Sequence, residues 1–140
     1  MNKNEFILVI NGNPISASRP RIRGRCRYYN EPYKSYKTLL SKEIDKLMPK
    51  DKSLLFESYE PLSVEIVYEM PIPKMSPKKT ASMIGAYHTK KPDLDNLDKA
   101  ILDALSCRVF KDDSQVAKLS AVKKYSDTPC TIVIVRKIEL

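Results

Sequence analysis

Histidine is almost missing from this chain: position 88 holds the single one among 140 residues. Cysteine occurs three times, at Cys26, Cys107 and Cys130, widely spaced and without a C-x-x-C pair. One histidine and dispersed cysteines cannot build a zinc cluster. An odd number of cysteines cannot all pair, so free thiols in a reducing cytoplasm are expected. Long apolar runs are lacking too. The run Phe6 to Ile10 is too short for the core of a signal peptide, and it ends in the polar turn residues "NGN". No stretch approaches the roughly 18 apolar residues of a membrane span. These absences point to a soluble, cytoplasmic protein with no membrane partner. Internal repeats and linkers are also absent, so a single domain over residues 1–140 is expected.

Positive charge, in contrast, is plentiful. Twenty-five Lys and Arg against seventeen Asp and Glu leave a formal charge of +8. Such an excess suggests an anionic partner, nucleic acid foremost; a merely solvated positive surface is the plain alternative. The stretch "SRPRIRGRCRYYNEPY" places Arg19, Arg21, Arg23, Arg25 and Arg27 at alternate positions. In an extended chain they share one face. Tyr28, Tyr29 and Tyr33 follow at once. Guanidinium forks beside aromatic rings suit a phosphate backbone and exposed bases. A solvated, mobile loop is the competing reading. Between Pro71 and Pro92 lie Lys74, Lys78, Lys79, Lys90 and Lys91, either a basic flap over a site or a surface loop.

Hydrophobic periodicity supplies the frame. Glu5 to Ile10, Leu62 to Met70, Val116 to Tyr125 and Cys130 to Ile138 are rich in β-branched residues and read as strands. "SDTP" between the last two reads as a hairpin turn. Tyr33, Tyr36, Leu40, Ile44 and Leu47 recur at helical intervals and predict an amphipathic helix over Lys34 to Met48, its tyrosines read as core before base-stacking. Ser76 and Pro77 suit the N-cap and first position of a short helix. A second long helix is predicted from Leu94 to Ser106. The expected fold is an α+β (mixed α/β) domain, with a mostly antiparallel or mixed sheet and two main helices.

Against the basic background, the acids are gathered. "KPDLDNLDKAILDAL" (Lys91 to Leu105) contains Asp93, Asp95, Asp98 and Asp103, and "KDD" follows with Asp112 and Asp113. Each feature alone has an ordinary account. Asp93 suits an N-cap, acids in a first turn favour the helix dipole, and Asp95 with Lys99 makes an i,i+4 pair. The set is harder to explain that way. Asp93 and Asp95 stand where extended chain becomes helix, and Asp112 and Asp113 precede the next strand. If the chain folds back, the two groups can converge. Converging carboxylates need a cation, and oxygen-only ligation is the signature of a hard ion, Mg²⁺ or Mn²⁺. In a basic protein, the phosphodiester backbone is the matching substrate.

The combination "KPDLDNLDKAILDAL", "VFKDDSQV" and "VKKY", with "PISASRPRIRG" upstream, resembles the RusA family of Holliday-junction resolvases, which has many phage and prophage members. The resemblance runs over most of the chain and is most specific over residues 91–116. It implies a small mixed α/β domain that forms a homodimer and cleaves four-way DNA junctions with Mg²⁺. By motif match it implies catalytic, metal-holding carboxylates at Asp93, Asp95 and Asp113 and an essential lysine at Lys99. Asp112 and Asp103 fit the pattern as secondary candidates, and Asp98 is not expected to be a ligand. The arginines from Arg19 to Arg27, with Lys90, Lys91 and Lys123, are expected to bind DNA arms through phosphates. Where the well-known bacterial form has arginines before this motif, Lys90, Lys91 and Pro92 stand here. Two rivals remain at this stage: a non-catalytic nucleic-acid-binding protein, and a metal nuclease for forks, flaps or plain duplex.

Overall fold

The computed structural model describes residues 5–51 and 53–139. In chain order its elements are β1 (Glu5–Asn11), β2 (Arg21–Arg23), β3 (Cys26–Tyr28), α1 (Tyr33–Leu47), β4 (Leu62–Pro71), α2 (Pro77–Met83), α3 (Leu94–Leu105), a 3-10 turn (Asp113–Gln115), β5 (Val116–Ser126) and β6 (Cys130–Lys137). Four strands form one mixed sheet in the order β1-β6-β4-β5. β6 runs antiparallel to both β1 and β4, while β5 runs parallel to β4. This is the α+β domain expected, with two main helices.

Alternation decides which face is covered. Phe6, Leu8 and Ile10 of β1 are buried, whereas Ile7 and Val9 between them are 41% and 49% exposed. On the buried face, Tyr36, Leu40 and Ile44 of α1 and Leu97, Ile101 and Leu105 of α3 join Val64, Ile66, Val133 and Val135 in one core. Tyr33 and Tyr36 are core residues, as their spacing predicts. On the other face, the register aligns Val9, Ile132, Val67 and Val122 in a row across all four strands. α2 buries none of its residues; Ser76 caps it by accepting from the Lys79 N–H, with Pro77 at its start.

Two expectations are corrected here. "SDTP" does not close a hairpin: β5 and β6 lie on opposite sides of β4, and the link crosses over the end of β4. Adjacent strands are about 4.8 Å apart, so skipping one needs only about 10 Å, which four residue steps cover. Ser126 Oγ and Cys130 Sγ both reach Glu69 Oε2 across that crossing. The five arginines, likewise, do not share one extended face. A two-residue turn with Gly24 at φ +64° folds the stretch into the β2–β3 hairpin. Arg27 pairs opposite Ile22, so it points away from the face of Arg21 and Arg23, and Arg25 sits in the turn.

Candidate active site

The crossover from β4 to β5 carries the acids. α3 buries Leu97, Ala100, Ile101 and Leu105 and thereby turns its polar side outward. Asp93 occupies the N-cap position, but its side chain makes no capping bond. Its Oδ2 instead accepts from Lys91 Nζ at 3.0 Å. Asp95 lies in the first turn of the helix. Lys99 does not pair with Asp95 as expected; its ammonium lies 3.2 Å from Asp103, one turn onward. Asp113 returns to the same end of the helix, where the charges of Asp103 and Lys99 both act on its carboxyl.

Beyond α3 the chain doubles back through a tight turn. The Cys107 N–H donates to the Phe110 carbonyl at 2.8 Å, with Cys107 at φ 66°. Val109 and Phe110 are fully buried and peg this turn into the core. Lys111, Asp112 and Asp113 therefore emerge at a fixed place. The Ser114 hydroxyl donates to Asp112 at 2.8 Å and, with a hydrogen bond from Asp113, holds the Asp112 carboxyl below its ordinary range. Partial burial, the hydrogen bond with Asp112 and the charges of Asp112 and Asp103 push Asp113 up, opposed by Lys99.

Asp98 faces inward. Tyr68, buried on β4, donates its hydroxyl to Asp98 Oδ1 at 2.7 Å. Burial raises the Asp98 carboxyl, the Tyr68 bond lowers it, and nearby Asp95 raises it further.

Basic groups surround these acids. Lys123 donates to the backbone carbonyls of Lys90 and Pro92 at 2.7 and 2.8 Å, so its ammonium pins the segment entering α3. The Ala17 N–H donates to the Asn96 carbonyl at 2.9 Å and lays residues 14–18 across the start of the helix. A cleft of about 420 Å³ opens there, with Ser16, Lys91, Asp93 and Asn96 among its walls. It shares Ile15, Ser16 and Pro32 with a second cleft of about 470 Å³ that is walled by Arg19 and Arg21. Lys37 lies over the rings of Tyr29 and Tyr33 at 4.6 and 5.1 Å.

The structure thus sets Asp113 in the field of Asp103 and Lys99, and places Arg19 and Arg21 on the cleft that adjoins that of Asp93. It does not gather Asp93, Asp95 and Asp113: among the described residues, no three His, Cys, Asp or Glu side chains lie close enough together to hold a metal ion. Four of the six acids have a neutralising or donating partner: Lys91 for Asp93, Tyr68 for Asp98, Lys99 for Asp103 and Ser114 for Asp112. Like charges repel, so unlinked carboxylates settle on separate partners. The donor type fits a hard divalent cation, all oxygen and negatively charged. The positions form two half-sets along α3.

A family model described as "Endodeoxyribonuclease RusA" matches residues 11–136. The chain belongs to the RusA family. It is also similar to a Bacillus subtilis (strain 168) protein named "Uncharacterized protein YqaN", 32% identical over 136 residues that cover 91% of this chain and 92% of that protein. The RusA match spans both half-sets, the arginine hairpin and every strand of the sheet but part of β1 and β6. Sequence reasoning about this RusA chain assigned no role to Gln115, yet its amide ties the acid turn to the loop before β4. The signal was present: Asp112 followed three residues later by Gln115 is a capping-box pattern. The Tyr68–Asp98 bond spans 30 residues, and no local pattern announces it. All three cysteines are free, as expected. No helix among the described residues is long and apolar enough to cross a membrane.

Proposed function

We propose that this chain is a divalent-metal-dependent endodeoxyribonuclease that resolves four-way DNA junctions, working as a homodimer. The observation that carries the proposal is the all-carboxylate set on α3 and the acid turn, flanked by clefts walled with arginine and lysine, in a RusA-family chain. Asp93, Asp95 and Asp113, which stand apart in this structure, would have to be drawn together to hold the ion, Mg²⁺ or Mn²⁺, and Asp112 and Asp103 would support it. When bound, such an ion supplies positive charge to the phosphate and a lowered pKa to water. The protein's own residues do the rest. Lys99, 61% exposed on its side chain, exchanges Asp103 for the scissile phosphate and offsets its developing charge. Lys91 neutralises Asp93 until DNA arrives and then takes a phosphate with Lys90. Arg19 and Arg21 lead a strand along the joined clefts toward Asp93. Lys123 keeps the Lys90–Pro92 segment at the entrance of α3, a supporting role where phosphate contact was expected.

A four-way junction has approximate two-fold symmetry, and a symmetric dimer places one site on each of two matching strands. The partly exposed row on the open face of the sheet supports a second copy as its cover, with Ile7 and Val9 at its edge. The deciding experiment compares cleavage of a four-way junction, a fork and a linear duplex at fixed salt, with Mg²⁺ and with a chelator. Junction cleavage that needs the ion and exceeds the other two at least tenfold is expected. Asp95→Asn should abolish it while leaving junction binding intact or tighter. Equal rates on all three substrates point to a general nuclease, and no cleavage at all points to a binding protein.

A further inference from the structure

The Gln115 side chain makes four hydrogen bonds. Its Oε1 accepts from the N–H groups of Lys111 and Asp112 at 3.1 and 3.2 Å. Its Nε2 donates to the carbonyls of Glu57 and Glu60 at 2.9 and 3.1 Å. A primary amide has two lone pairs and two protons to offer, so this one is saturated. The partners also settle its orientation, since two N–H groups demand the oxygen and two carbonyls demand the nitrogen. The Gln115 N–H in turn donates to the Asp112 carbonyl at 3.1 Å and closes the turn.

The two backbones joined in this way serve different ends. The Glu57–Glu60 side is itself a closed turn: the Glu60 N–H donates to the Glu57 carbonyl, and the Glu57 N–H donates to Glu60 Oε1. The other side holds Asp112 and Asp113, and the Asp113 carboxyl lies in the field of Lys99 and Asp103 of α3. The amide is a rigid bridge from a preformed turn to the segment that aims the acids.

We propose that Gln115 is a positioning residue for cleavage, fixing the Asp113 carboxylate against α3; this rests on the nuclease reading above. The alternative is a bridge that serves the fold alone. Gln115→Met keeps the volume and removes all four bonds. Gln115→Glu keeps the acceptors for Lys111 and Asp112 and loses the donors to Glu57 and Glu60. Both are measured beside the native chain for thermal unfolding, amide hydrogen exchange at Lys111 and Asp112, Mn²⁺ affinity, kcat and KM on a junction, and junction binding in chelator.

For Gln115→Met we expect a cooperative melt, faster exchange at the two amides and weaker Mn²⁺ binding. Its kcat should fall by about 10- to 100-fold, the usual effect of losing a group that orients a metal ligand. KM and chelator binding should stay within about twofold, since no DNA contact is lost. Gln115→Glu should keep the exchange protection of the two amides but recover little of kcat, because the bridge to the preformed turn is broken and a carboxylate oxygen faces its two carbonyls. The proposal is overturned if Gln115→Met cleaves within threefold of the native rate, or binds Mn²⁺ as tightly as the native chain. Loss of its cooperative melt overturns it as well, because the amide would then hold the fold and not the turn. A native chain that neither cleaves nor binds Mn²⁺ sinks the nuclease reading, and this one with it. A native chain that does both leaves only the variants to judge the positioning role.

Discussion

Asp93 and Asp98 show how the same side chain takes opposite duties five residues apart. Asp93 stands at the cap position and leaves the helix amides unserved, its carboxylate outside with Lys91. Asp98 points to the core and receives the Tyr68 hydroxyl. Burial raises the Asp98 carboxyl above its ordinary range. A carboxyl raised on folding adds stability that is complete below its unfolded pKa and is lost as pH climbs through the folded value. Asparagine does not titrate, and its amide oxygen still accepts from Tyr68. The melting temperature of Asp98→Asn relative to the native chain should therefore rise between about pH 4 and pH 7, as wild-type Asp98 ionises at a cost. Thermal melts across that range check it; a flat or falling difference would contradict the account. The substitution also removes a neighbouring negative charge from Asp95, which works in the same direction.

At the scale of elements, β2 and β3 turn a run of like charges into a two-sided blade. Arg21 and Arg23 share one side and Arg27 takes the other, while Arg21 also walls the cleft that leads toward Asp93. Substituting Arg19 and Arg21 by alanine should weaken junction binding and flatten its dependence on salt by about one unit of slope per lost phosphate contact. Arg27→Ala should change both much less. Binding titrations between low and moderate salt separate the two cases, and equal losses would show that both sides grip DNA.

Much of this layer was legible in the sequence. The long helices and the four sheet strands follow from 3.6- and 2-residue periods, because burial against one core imposes those periods. The hairpin at Gly24 was missed because alternating arginines mask the turn residue, and the crossing at "SDTP" was misread because a tight link fits both topologies. The candidate acids were legible as residue types. Their separate partners were not, since an ammonium three or four positions away competes with a distant carboxylate in ways that spacing does not rank. Asp95 and Asp103 are equally spaced from Lys99, and spacing does not tell which of them the ammonium meets.

For the molecule as a whole, the sheet is covered on one face and open on the other. The row of Val9, Ile132, Val67 and Val122 is the apolar part of that open face. Val9 is 49% exposed, so a charge there leaves the isolated domain intact. On the dimer proposed above, Val9→Glu should keep the melting temperature of the monomer within a few degrees and shift the protein from dimer to monomer mass in sedimentation. Paired nicking of a junction should give way to single nicks. A variant that stays dimeric would place the interface elsewhere, on β5 or the segment before α2.

Strand order carries one more consequence. β6 comes last among the strands in sequence and second in the sheet, wedged between β1 and β4. Until the ribosome has released residues 130–137, the opening strand has nothing to zip onto and the middle strand lacks one neighbour. A nascent or prematurely stopped chain would hold the acids without the scaffold that aims them.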